Sequence, residues 1–376
     1  MAEPNKAGEK RDFDIPSLDG IRAVSILTVF FAHAGLEDLF PGGFGVTIFF
    51  FLSGFLITTL LRMEFDRDQT ISFSSFYTRR VFRILPPFYF VLIGATLLTF
   101  AGAMAGNIDF WPFMGQAFFL NNYLEFLQPG NGRAQGTGIF WSLAVEEHFY
   151  FLFPALYLFL RKRFDARKQA MVLGAICAAV LVWRMILILG MNVSEWRTYY
   201  STDTRIDSIL FGCIMAIAFN PMLDRKSTEF GVKQYGALFA GLGGLLLSLL
   251  VRNGDFRETL RYTLQGVSLF PIFFLAISHP RHPVFVVLQN KWVRWIGVLS
   301  YSIYLTHFVV LVVVAENTSW GKPLVGVVSF VVSVALAFAM HKLIEQPAVK
   351  LRKKYLASRK AAARPATTRV AASARS

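Results

Sequence analysis

Cysteine is nearly absent: the 376 residues contain two, Cys177 and Cys213, both inside apolar runs. Neither a disulfide framework nor a metal site is implied, and both thiols read as small buried hydrophobes. Charge is scarce too, at 16% of residues against about 25% in an ordinary soluble protein. Acids are the rarer sign, 24 Asp and Glu against 38 Lys and Arg. No glycine-rich phosphate loop occurs, so nucleotide hydrolysis is not suggested. A removable signal peptide is not expected, because the opening MAEPNKAGEKRDFDIPS is polar and no small-residue cleavage site follows the first apolar run.

What the chain does contain is apolar length. It is 55% hydrophobic with 39 phenylalanines, and runs of about 20 apolar residues recur throughout. The expected fold is all-α, a polytopic integral-membrane helical bundle of about ten spans. They are read near residues 20–38, 43–61, 81–104, 139–160, 169–190, 205–221, 232–251, 262–279, 294–315 and 323–343. The net charge of +14 is distributed as topology rather than as a nucleic-acid surface. RMEFDRDQ with YTRRVFR, RKRFDARK, DRKSTEFGVK and HPRHP…NKWVR alternate with segments mostly poorer in Lys and Arg, RNGDFRETLR being the exception. This alternation puts both termini in the cytoplasm.

Three parts follow: a cytoplasmic segment 1–17, a transmembrane domain 18–349, and a basic tail 350–376 expected to be disordered against anionic lipid headgroups. Residues 105–138 are too long for a tight loop. WPFMGQAFFLNNYLEF within them is apolar but short, and is read as a re-entrant or interfacial helix followed by a flexible piece, PGNGRAQGTG. No internal repeat is seen, which argues against a secondary transporter.

Ionisable residues inside spans are functional candidates by default. Arg22 and His33 are eleven residues apart, about three turns, so they share one helix face about 16 Å apart. With the termini inside, His33, Ser142, Glu146 and Glu147 fall in the outer halves of their spans, and Asp203, Arg205 and Asp207 open span six. Ser300, Tyr304 and His307 share a face of span nine. Plainer readings exist for several of these: Asp203 suits an N-cap, Asp207 a first-turn acid, and Tyr304 and His307 aromatic packing. A His, carboxylates, an Arg and hydroxyls at one depth suit proton abstraction and stabilisation of developing charge. On the inner face, Arg79, Arg80 and Arg83 precede Pro86–Pro87 and suit a phosphate-rich ligand or simple anchoring.

Seven segments in order carry a family resemblance: LDGIRAVSILTVFFAH, GVTIFFFLSGFLIT, FYTRRVFRILPPFY, FWSLAVEEHFYFLFP, DTRIDSILFG, LSYSIYLTH and IEQP. Together they resemble the membrane-bound acyltransferase-3 family of bacterial O-acyltransferases. Thr47 stands where the family often has an acid, and Ala144 and His148 where it often has serine and glutamine; these departures bear on acceptor choice. No esterase-like domain is seen after the last span, as some members carry.

The resemblance implies a multi-pass protein of the bacterial inner membrane, in contact with membrane lipid. It would transfer an acyl group, acetyl by default, from acyl-CoA to a hydroxyl of a cell-envelope or exported saccharide, with no tightly bound cofactor. His33 would be the base, Glu146 would orient it or relay its proton, and Arg80 and Arg83 would hold the donor phosphates. Arg22, Ser142, Asp203, Arg205, Tyr304 and His307 would line the cavity. A covalent acyl intermediate on His33 or Ser142 stays open. The same His and acids would also serve a proton-coupled carrier, and a non-catalytic scaffold is the third reading.

Overall fold

The computed structural model describes residues 16–127, 132–224 and 229–362, and no strand occurs among them. Nine helices among the described residues are long and apolar enough to cross a membrane. The first traverse is α1 (Pro16–Phe31), continued by a π turn, Ala32–Leu36, that carries His33 and stops at Gly35 with φ +91°. Glycine suits that left-handed position, and single π turns recur at functional sites. Next come α2 (Gly42–Asp68) and α3 (Phe73–Phe100). Helix α3 is capped by Ser72, which accepts from Ser75 N, and runs unbroken through Pro86–Pro87.

Short helices α4 (Phe110–Ala117) and α5 (Asn121–Leu127) lead to α6 (Trp141–Arg163), α7 (Ala166–Met185, extended to Gly190), the short α8 (Glu195–Tyr200) and α9 (Thr202–Ala218). Then follow α10 (Val232–Leu250), the short α11 (Gly254–Glu258), α12 (Leu260–Ser278), α13 (Lys291–Asn317), α14 (Lys322–Met340) and α15 (Gln346–Ala362). Helix α9 has 17 residues, at the lower limit for crossing the hydrocarbon. It is not among the nine candidate spans, so the described residues carry nine where the sequence suggests about ten.

The centre is built by α1, α2, α9 and α13. Helices α2 and α9 run side by side in the same direction, and two glycines let them touch. A Cβ at Gly54 would collide with the Ile209 carbonyl, and one at Gly212 with that of Phe51. Small residues at such crossings are what membrane packing requires. The fully buried Arg184 locks α7 to α9 and α12 through Asp207 Oδ2 at 2.8 Å, Thr204 O at 2.6 Å, Thr259 O at 3.0 Å and Thr263 Oγ1 at 2.6 Å. Asp207 is thus a structural counter-ion. Helices α10 and α14 leave Leu246, Leu250, Val327 and Val331 exposed, as peripheral helices facing lipid tails do.

The described part of the segment between α3 and α6 packs back against the middle of α3. Tyr89, midway along α3, donates to the Ala117 carbonyl at 2.8 Å, and Phe88 packs on Phe119 and Phe140 with centroids 4.5 and 5.1 Å apart. Helix α6 therefore begins at half the depth of α3. Two expectations are corrected here. Of PGNGRAQGTG, residues 129–131 lie outside the described part, but 132–138 pack as a turn in which Ala134 and Thr137 are buried. The tail is helical as far as Ala362: its Lys, Leu, Arg and Ala favour helix, Tyr355 packs near Phe82, and Arg359 bonds Ser74. Residues 1–15 and 363–376 lie outside the described residues.

Candidate active site

A cavity of about 280 Å³ runs between α1, α2, α3, α6 and α13. It touches α2 from Leu60 to Val46, fourteen residues or about 21 Å along the helix, so it is a slot suited to an extended ligand. Arg22, Arg80 and Arg83 line it, Arg80 over Tyr150 toward the Leu60 end. Arg22 is paired with Asp19 at 3.0 Å, and Arg79, outside the lining, with Glu64 at 2.9 Å. Among the described residues neither Arg80 nor Arg83 forms an ion pair, and Arg80 Nε has no partner. The Arg80 guanidinium rests 5.5 Å from the Tyr150 ring centroid and 5.9 Å from that of Phe76. Asp19, Glu146 and Glu147 line the same slot, but none of them forms an ion pair with Arg80 or Arg83, whose forked donors suit an anion.

Glu146 also lines the slot, half-buried, and accepts from Ser53 Oγ at 2.5 Å; Ser53 in turn accepts from Tyr150 at 3.3 Å. The expectation that Glu146 lies in an outer half-span beside His33 is corrected. Tyr150, one turn further along α6, sits under Arg80, and Phe151 O receives the Tyr77 hydroxyl from the first turns of α3 at 2.8 Å. Because α6 starts beside the middle of α3, Glu146 falls mid-slot, level with Ser53 and one turn from Ser142.

At the other end of the slot Tyr304 donates to the Ile139 carbonyl at 2.9 Å and lies 2.6 Å from Ser142 Oγ. Beyond this latch are the histidines, which do not line the slot. His33 Nδ1 is 3.0 Å from His307 Nε2, and its ring stacks on Phe308 with centroids 4.6 Å apart. His307 is fully buried, whereas His33 is exposed. The partner of His33 is thus His307 and not Glu146.

Two further candidates are placed elsewhere. Asp203 is bound by Arg197 at 2.6 Å, Trp183 Nε1 at 2.7 Å and Tyr123 at 3.2 Å, a clasp joining α5, α7, α8 and α9. Arg205 is wholly buried among Phe50, Trp141, Tyr199 and Tyr262, the last 4.0 Å from its guanidinium carbon, and reaches Thr47 Oγ1 at 3.2 Å. Neither lines the slot. Conversely, Ser53, Tyr150 and Tyr301 line it and were not singled out by sequence. A lone serine in an apolar helix usually bonds its own backbone, so nothing marks Ser53 until Glu146 is seen against it. Among the described residues no cluster of His, Cys, Asp and Glu could hold a metal.

A family model described as an acyltransferase domain, Acyl_transf_3, matches residues 15–342. The O-acetyltransferase OatA of Staphylococcus aureus is 30% identical over 352 residues, covering 89% of this chain and 57% of its own. A protein of Bacillus subtilis called putative peptidoglycan O-acetyltransferase YrhL is 30% identical over 356 residues, covering 89% and 54%. The chain thus spans little more than half the length of these relatives. No solved structure matches it. The slot, the histidine pair and the motifs that build them all fall inside the matched region, and the chain belongs to the acyltransferase-3 family.

Proposed function

We propose that this protein transfers an acyl group, acetyl by default, from acyl-CoA to a hydroxyl of a cell-envelope saccharide, in the plasma membrane of a bacterium. The observation that carries the reading is a slot with the unpaired Arg80 and Arg83 at one end and, past the Tyr304 latch, a histidine open to an acceptor at the other. Arginines fork onto phosphate oxygens, so the phosphorylated end of CoA would rest on Arg80 and Arg83 while its flexible arm carries the thioester along the slot. Glu146 offers an acceptor to the amide N–H groups of that arm. The names printed for the relatives favour a peptidoglycan-type acceptor.

In the reaction His33 takes the proton of the acceptor hydroxyl as that oxygen attacks the thioester carbonyl. The C–O bond forms, the C–S bond breaks, and the proton passes from His33 to the leaving thiolate, giving ester and free thiol. Purified protein given acetyl-CoA and a soluble glycan fragment is expected to yield free CoA and a fragment heavier by one acetyl. Thioester left intact with acceptor present would overturn the reading.

Sidedness follows from the basic end, where Arg161, Lys162 and Arg163 close α6; that end belongs in the cytoplasm. A cysteine introduced in 191–202 should react with an impermeant thiol reagent in intact cells, and one in 161–168 only after lysis. Cys177 and Cys213 are buried and give a low background. The reverse labelling pattern would invert the mechanism.

Tyr304 must move for the thioester to meet His33. Its latch amounts to one or two hydrogen bonds at about 1 kcal/mol each, about tenfold in the open population. Tyr304→Phe should therefore raise acetyl-CoA hydrolysis without acceptor by about tenfold. An unchanged rate, with donor binding intact, would remove the latch from the pathway.

A further inference from the structure

The reading above gives His33 a proton to take but does not say which of its nitrogens takes it or what holds the ring. His307 answers both questions. Its Nδ1 lies 2.8 Å from the Tyr304 carbonyl and 3.1 Å from that of Ile303. Carbonyl oxygens only accept, so His307 Nδ1 carries the hydrogen. A neutral imidazole has one donor and one acceptor nitrogen, so His307 Nε2 is an acceptor. That nitrogen is 3.0 Å from His33 Nδ1, which must then donate. In neutral His33 the lone pair is consequently left on Nε2. We infer that His307 is the positioning residue of the reaction: anchored by two backbone carbonyls of α13, it fixes His33 in the tautomer whose Nε2 is the base.

Three features of the pair fit this role. His307 is fully buried within α13, one turn beyond Tyr304, while His33 sits in a π turn as an exposed residue. A ring on a π turn has little backbone support of its own, and the stack on Phe308 with the bond to His307 provides it from α13. Finally, when His33 gains a proton on Nε2 it still donates from Nδ1, and that bond becomes charge-assisted and stronger. His307 thus does for His33 what a carboxylate does for histidine in a serine-protease triad, setting tautomer and orientation without touching the substrate. Glu146, engaged with Ser53, is not placed to do so.

The inference rests on His33 being the base, and the test separates the two ideas. His307→Asn and His307→Gln are compared in the intact membrane protein. Asparagine reaches the position of Nδ1 and keeps the carbonyl anchor but lacks an acceptor at Nε2. Glutamine reaches the Nε2 position, where its Oε1 accepts from His33. Expected is a kcat for acetyl transfer from acetyl-CoA lowered about 10²-fold in His307→Asn, the lower end for a positioned base. His307→Gln should stay within about tenfold of the parent, with KM for acetyl-CoA and Tm unchanged in both. Equal kcat for the two variants, whether both near the parent or both abolished, would overturn the role. His33→Gln measured alongside guards the premise: full activity there would mean that His33 is not the base, whatever the outcome at position 307.

Discussion

His33→Gln is expected to lower acyl transfer by about 10²–10⁴-fold, the loss typical of a positioned base, while leaving the fold and donor binding intact. Glutamine keeps a polar tip of similar reach and can still meet His307, so packing alone predicts a mild effect. The slot that would take the donor is not lined by His33, so acetyl-CoA should still stabilise the variant in a thermal-shift assay. Transfer to the saccharide acceptor, measured beside that assay, decides the matter. A variant that is stable, binds acetyl-CoA and transfers at the parental rate would show that His33 is not the base.

Arg80→Ala with Arg83→Ala should weaken acetyl-CoA binding by about 10²-fold or more, since hydrogen bonds to charged groups contribute about 1.5–3 kcal/mol each. Arg80 should carry the larger share. It is partly buried with an unpartnered Nε, whereas Arg83 is exposed and its interaction is screened by solvent. Lysine at either position should recover only part, because a point charge cannot reproduce the fork. Titration calorimetry with acetyl-CoA reads this directly. An unchanged Kd in the double variant, with Tm intact, would take the donor away from the arginine end.

Much of the architecture was legible because hydrocarbon imposes length. Nine of the ten apolar runs became helices long and apolar enough to cross, and the tenth, Thr202–Ala218, is a shorter helix with a polar start and an apolar body. WPFMGQAFFLNNYLEF was legible as a piece that does not cross because it is too short, and it forms the short helices α4 and α5. Depth was not. Counting from the start of an apolar run assumes that the runs begin level with one another, and α6 begins beside the middle of α3 because the segment before it packs there. That single error put Glu146 beside His33 when it lies mid-slot on Ser53.

Partners were equally hidden. His33 and His307 are 274 residues apart in sequence and 3.0 Å apart in space, and no periodicity encodes which face of α13 meets α1. Asp203 and Arg205 read as site residues because they are charges at a span end, yet each spends its charge on packing, one in a clasp of Arg197 and Trp183 and the other among aromatic rings. The helical course of α15 was missed for a related reason: net charge suggests disorder, but Tyr355 and Arg359 find partners on α3.

The central claim is that donor and acceptor meet from opposite faces of the membrane, and reconstitution into sealed vesicles tests it most directly. With the protein oriented so that the Arg80–Arg83 end faces the bath, acetyl-CoA is supplied to the bath only, and equal amounts of glycan fragment are present in the bath and the lumen. The account predicts acetylated fragment in the lumen and free CoA in the bath, with lumenal product lost in His33→Gln. Acetylated fragment confined to the bath would contradict it.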